Sequence, residues 1–129
     1  MSIVNLDWLQ LEILVESLAH DIKESGHTFT LIAGVTRGGL VPAVMLSHKL
    51  KLPMTAISTN EMIEHDHETL IVDEIYDTGK TINRLRELNP RAKFAALISN
   101  RFLPELDFPG VRRALDEWTV FPWENKDGQ

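Results

Sequence analysis

Four short apolar runs, Thr28 to Val35, Pro53 to Ser58, Leu70 to Val72 and Lys93 to Ser99, alternate with stretches of helical spacing. Short apolar runs bounded by turn residues read as strands. Strands that alternate with helices over short connections predict a parallel sheet with helices on both faces. The expected class is α/β, and 129 residues suit a single domain spanning 1–129. Ligands of such sheets bind outside the carboxyl ends of the strands.

The helical stretches carry their own punctuation. Asp7-Trp8-Leu9-Gln10 has the spacing of a capping box, and Trp8, Leu11, Leu14/Val15, Leu18 and Ile22 then recur at helical intervals up to a stop at Gly26. Leu40-Val41-Pro42 opens a second helix, since Pro42 is tolerated only in a first turn. Leu40 to Leu46 is apolar nearly all round, which predicts a buried helix. Thr78 to Leu88 reads as a third, ended by Asn89-Pro90. Beyond Asn100 the pattern loosens into an irregular terminal flap, with Phe108, Trp118, Phe121 and Trp123 and one further strand near Val111 to Leu115.

A formal charge of −6 argues against a general nucleic-acid binder. There is no cysteine, as suits a reducing cytoplasm, and no apolar span long enough to cross a membrane. Between Lys51 and Lys80 there is no Lys or Arg, whereas Glu61, Glu64, Asp66, Glu68, Asp73, Glu74 and Asp77 all fall there. A polyphosphate approaching this segment would be repelled without an intervening cation, so a phosphate ligand implies Mg²⁺.

Leu70-Ile71-Val72-Asp73-Glu74-Ile75-Tyr76-Asp77-Thr78-Gly79-Lys80-Thr81 concentrates the chemistry. A P-loop needs a glycine five residues before Gly79, and that position is Glu74, so an NTPase is excluded on spacing. Thr78 to Thr81 remain as a short anion nest at a helix start, with a simple helix cap as the competing reading. Asp73 and Glu74 follow an apolar strand, where they suit the vicinal hydroxyls of a ribose, directly or through Mg²⁺; alone, a solvated strand end explains them equally well. Thr36-Arg37-Gly38-Gly39 is a second tight loop on the same expected edge, and two such loops suit a ligand with two separated phosphate groups. His65-Asp66-His67 lacks a further metal ligand and reads as solvated loop.

Taken together, Leu70–Thr81 resembles the phosphoribosyl-pyrophosphate (PRPP) signature of the type I phosphoribosyltransferases. Thr36-Arg37-Gly38-Gly39-Leu40-Val41-Pro42 resembles their pyrophosphate loop, particularly in the bacterial xanthine-guanine enzymes. Asp116 to Glu124 is similar to the purine-binding C-terminal segment, and the Leu6–Leu18 helix is similar too.

The resemblance implies the type I fold with a reduced lid and C-terminal hood. It also implies transfer of a phosphoribosyl group from PRPP to a purine base (guanine, xanthine or hypoxanthine), giving a nucleoside monophosphate and pyrophosphate, with Mg²⁺ as cofactor. Asp73 and Glu74 would hold the ribose hydroxyls and the metal, Glu74 foremost. Asp77 would accept a proton beside the purine N7. Thr78, Gly79, Lys80 and Thr81 would cradle the 5′-phosphate, and Arg37, Gly38 and Gly39 the pyrophosphate, often with a cis peptide before the arginine. Trp118 would stack on the base while the backbone near Thr119 reads its edge. A homo-oligomer is expected.

Three departures stand out. Where the family has a lysine for the purine 6-oxo group, this chain has Asn100 followed by Arg101. The lid, Thr59 to Thr69, is short and has no Lys or Arg. The C-terminal segment stops soon after Trp123. The short lid without Lys or Arg motivates an alternative, a PRPP- or nucleotide-binding regulatory module with little or no turnover.

Overall fold

The structure, a computed structural model, describes residues 2–100 and 106–124. In chain order the elements are β1 (Ser2–Asn5), α1 (Trp8–Glu24), β2 (Leu31–Val35), α2 (Leu40–Leu50), β3 (Met54–Ile57), a 3₁₀ turn (Asp66–Glu68), β4 (Thr69–Tyr76), α3 (Lys80–Leu88), β5 (Lys93–Ser99), β6 (Val111–Arg112) and β7 (Glu117–Val120). Five strands form one parallel sheet in the order β3-β2-β4-β5-β6. The order reverses direction between β2 and β4, so the crevice expected of a doubly wound sheet opens there.

The two-residue period of the strands sorts the core onto two faces. Ile32, Leu70, Val72, Ala95 and Leu97 pack with Leu11, Val15 and Leu18 of α1 and with Ala43 and Leu46 of α2. Ala33, Val35, Ile71, Phe94 and Ala96 pack with Ile82 and Leu85 of α3. Each such fully buried aliphatic side chain contributes about 1.5–3 kcal/mol of burial free energy. Helices therefore cover both faces, as the strand–helix alternation predicts.

The capping box forms as read: Gln10 N–H donates to Asp7 Oδ1 at 2.7 Å and Asp7 N–H to Gln10 Oε1 at 2.8 Å. Gly26 follows the α1 C-cap at φ 77°. Other elements differ from expectation, each for a local reason. The first core strand begins at Leu31 rather than Thr28, where pairing with β4 starts. α2 is buried along Pro42, Ala43 and Leu46 only; Val44 is 42% exposed, because α1 and the sheet pack against one side of it. The strand expected over Val111 to Leu115 is only two residues long, β6, with the Arg113 N–H making a last bond to Ser99 O at 2.9 Å where β5 ends.

A second parallel sheet, β1 with β7, was absent from the sequence reading, which placed 117–120 in an irregular flap. These four-residue strands pair across opposite ends of the chain (Ile3 with Trp118, Val4 with Thr119), and so short a segment carries little periodicity of its own. Among the described residues no helix is long and apolar enough to cross a membrane.

Candidate active site

β4 is where fold and chemistry meet. On its β2 side the pairing stops at Gly34 opposite Val72, because β2 turns into the Thr36–Gly39 loop. On its β5 side it continues to Tyr76 opposite Ser99. The carboxylates of Asp73 and Glu74 are thus not beyond the strand, as the sequence suggested, but on its half-unpaired final stretch. That stretch is one wall of a cavity of about 730 Å³ lined by Arg37, Gly38, Asp73, Glu74 and Thr81, with Thr59 and Trp123 at its rim.

Within the cavity Glu74 lies against the Arg37–Gly39 loop. A Cβ at Gly38 would overlap the Glu74 carboxylate, so only glycine admits this approach. Asp73 is buried and its Oδ1 accepts the Glu74 N–H at 2.9 Å. Burial, then the contact with the Asp73 carboxyl and its charge, pushes Glu74 up from 4.5 to about 8. Glu74 therefore keeps its proton near neutral pH.

The donor set fits Mg²⁺ in one particular way. Among the described residues no group of three or more His, Cys, Asp or Glu could hold a metal by itself. Mg²⁺ takes one or two carboxylates and completes its shell with substrate oxygens and water, and the adjacent Asp73 and Glu74 could supply those carboxylates. The Thr36–Arg37 peptide is cis, as the resemblance implies.

A second hollow of about 190 Å³ adjoins the first and is lined by residues 73–82, including Asp77, Thr78, Gly79, Lys80 and Thr81. The helix expected from Thr78 begins at Lys80 instead, because Gly79 takes the left-handed conformation at φ 84°. A side chain at Gly79 would also meet the Tyr76 hydroxyl at 2.6 Å. First-turn N–H groups of a helix lack intrahelical acceptors, so α3 presents donors to this hollow.

The loop between β3 and β4 is anchored. Asn89, fully buried at the end of α3, accepts the Ile63 N–H at 2.7 Å and donates to Glu61 O at 3.0 Å and Leu85 O at 3.1 Å. Asp66 is buried too, taking the Arg91 N–H at 3.0 Å and its guanidinium at 2.8 Å. Burial pushes the Asp66 carboxyl up, and the Arg91 N–H, charge and side chain together outweigh that and hold it below its usual value. This corrects the reading of 65–67 as solvated: His65 and His67 are exposed, but Asp66 is a tether.

The sequence and shape of the chain have recognisable counterparts. No family model matches. A xanthine-guanine phosphoribosyltransferase of Chromohalobacter salexigens is 30% identical over 135 aligned positions, covering 92% of this chain and 82% of that protein. The chain belongs to the xanthine-guanine phosphoribosyltransferase family. A purine phosphoribosyltransferase from Pyrococcus horikoshii has the same fold at TM-score 0.72 and 31% identity, covering 97% of this chain and 96% of that one. A hypothetical protein from Neisseria gonorrhoeae with bound ppGpp shares the fold at TM-score 0.78, with 20% identity over 98% of this chain and 91% of its own.

As a member of the xanthine-guanine family, the chain brings Arg37, Gly38, Asp73, Glu74 and Thr81 together around one cavity, with Asp77 to Lys80 beside it. Gly39 is buried behind Arg37, its N–H bonded to Val35 O at 2.9 Å. Trp118 stands apart from the cavity: it is 49% exposed and pairs with Ile3 of β1 across the small sheet. Thr119 is buried on the opposite face. Asn100 is buried at the end of β5, and its amide donates to Ala114 O at 2.8 Å and Glu117 O at 3.4 Å. Arg101 lies outside the described residues.

Trp123, read as flap packing, does stack on Phe121 with ring centroids 4.8 Å apart, and it also lines the main cavity beside Glu124. Neither residue stood out in the sequence as facing the site. The signal available was only their place in the Asp116–Glu124 segment, five and six residues after Trp118, which cannot be placed in space without the β1–β7 sheet.

Proposed function

We propose that this protein transfers the phosphoribosyl group of PRPP to a purine base, releasing pyrophosphate and forming a nucleoside 5′-monophosphate, with Mg²⁺ bound together with PRPP. The observation that carries the reading is the cavity at the β2–β4 crevice, with the Arg37–Gly38 loop on one wall and Asp73–Glu74 on the other. The α3 N-terminus beside it supplies the second phosphate end.

Arg37 and the Gly38 backbone hold the pyrophosphate, with Gly39 buried behind them, Asp73 and Glu74 the ribose hydroxyls, and residues 78–81 the 5′-phosphate. When bound, Mg²⁺ offsets the acidic walls and the charge that gathers on the leaving pyrophosphate. The purine N9 attacks ribose C1, the C1–O bond breaks, and its electron pair leaves with pyrophosphate. The proton displaced from the imidazole ring goes to Asp77. Catalysis of this kind rests on positioning and charge stabilisation, without a nucleophile from the protein.

A second reading, a nucleotide-binding module with little turnover, is favoured by the tethered loop of 59–68, which brings no cation to the pyrophosphate. A protein of this fold is described with ppGpp, so that nucleotide belongs in the panel. Calorimetry with PRPP and Mg²⁺, a nucleoside monophosphate and ppGpp, alongside turnover with each purine, separates the two. Tight binding without pyrophosphate release would establish the module.

A further inference from the structure

Asn100 sits between the end of β4 and the turn before β7. Its backbone N–H donates to Tyr76 O at 2.9 Å, one residue before Asp77. Its side-chain amide donates to Ala114 O and Glu117 O, which bracket the turn leading into β7 and Trp118. That turn is closed by Glu117 N–H to Ala114 O at 3.1 Å. β7 is also held by its pairing with β1 and by the Leu6 N–H, which donates to Val120 O at 2.9 Å. The Asn100 amide thus ties the small sheet to the end of the large one.

Both acceptors are carbonyls, which settles the amide orientation: an oxygen turned toward them would be repelled by both. The two N–H donors of Asn100 are thus already engaged. We infer that Asn100 is a positioning residue, a latch fixing the distance between Asp77 and the Trp118 strand, and that it does not read the 6-substituent of the base. This inference rests on the phosphoribosyltransferase reading above. The latch itself does not, since it is a contact of the ligand-free fold.

The latch accounts for how a chain without a lysine here still builds a base site. A side chain that reached into the site to read an oxygen would discriminate among bases. One that holds the hood in place affects all purines alike. Selectivity at position 6 then falls to main-chain groups of the hood, which the latch sets in register.

Asn100→Asp keeps the shape and turns an oxygen toward the two carbonyls, and Asn100→Ser removes the reach with little change of polarity. Hydrogen exchange of residues 114–120 in the ligand-free proteins tests the latch. Both variants are expected to exchange faster there, by about tenfold, while the β4 and β5 amides keep their protection. Steady-state kinetics then tests the role: KM for guanine, hypoxanthine, xanthine and adenine rises together by about tenfold, with KM for PRPP unchanged. Unaltered exchange at 114–120 would overturn the latch. A change of tenfold or more in the ratio between 6-oxo and 6-amino purines would show that Asn100 reads the base. If the wild type turns over no purine, the functional reading fails, and the exchange result still decides the latch.

Discussion

Glu74 carries the most telling single property of the site. Its proton is held up to about 8 by burial and by Asp73, so a cation must displace that proton to bind. Calorimetry should find that PRPP with Mg²⁺ binds more tightly by about tenfold per pH unit from 6 to 7, levelling off above about 8, with about one proton released. Glu74→Gln should abolish that dependence, and a pH-independent affinity in the wild type would contradict it. For the ligand-free fold the sign is opposite. A carboxyl whose folded value lies above 4.5 contributes stability below that pH and loses it as pH rises through about 8.

Asp77, in the smaller hollow, is expected to act only in the chemical step. Asp77→Asn should leave PRPP affinity within about twofold by calorimetry and lower kcat by about 10²-fold, the usual scale for a proton acceptor. An unchanged kcat would remove Asp77 from the mechanism. The Asp73–Glu74 pair and Asp77 were legible in the sequence because their residue types and spacing survive without tertiary information. The burial of Asn100 and Asp66 was not, since each is paid for by a partner far along the chain: Ala114 and Glu117 for one, Arg91 for the other.

At the scale of elements, the loop before β4 differs most from its expected role. A lid would open and close over the pyrophosphate, whereas Asn89 and Asp66 fasten this loop to α3 and to the α3–β5 turn. Its wall of the cavity and the phosphate cradle are therefore attached to one helix. Asp66→Asn should destabilise the protein by about 1–3 kcal/mol in denaturant titration, through loss of charge-assisted bonds to Arg91. Because the Asp66 carboxyl is held below 3.8, its contribution is present above that pH and lost as pH falls through the folded value. Equal stability of wild type and variant at pH 7 would show that the tether is slack.

α3 shows why element boundaries were harder to read than elements. Its apolar positions announce a helix, but the start is set by a backbone conformation at Gly79, and the difference moves Thr78 and Gly79 from helix to the loop that lines the smaller hollow.

For the whole molecule, strand–helix alternation carried most of the main sheet, because its central strands β2, β4 and β5 are buried along most of their length and the crossovers between them are local. The β1–β7 sheet escaped because its pairing joins the two ends of the chain, and with it went the true surroundings of Trp118 and Trp123. The site, at the one edge where β2 and β4 part, follows from topology once the strand order is known. The account stands on the claim that this edge binds PRPP and delivers its ribose to a purine. Pyrophosphate release, followed with PRPP, Mg²⁺ and each of guanine, xanthine, hypoxanthine and adenine, tests it most directly. Release with at least one 6-oxopurine, abolished when Mg²⁺ is chelated, is the predicted result; no release with any of the four would contradict it.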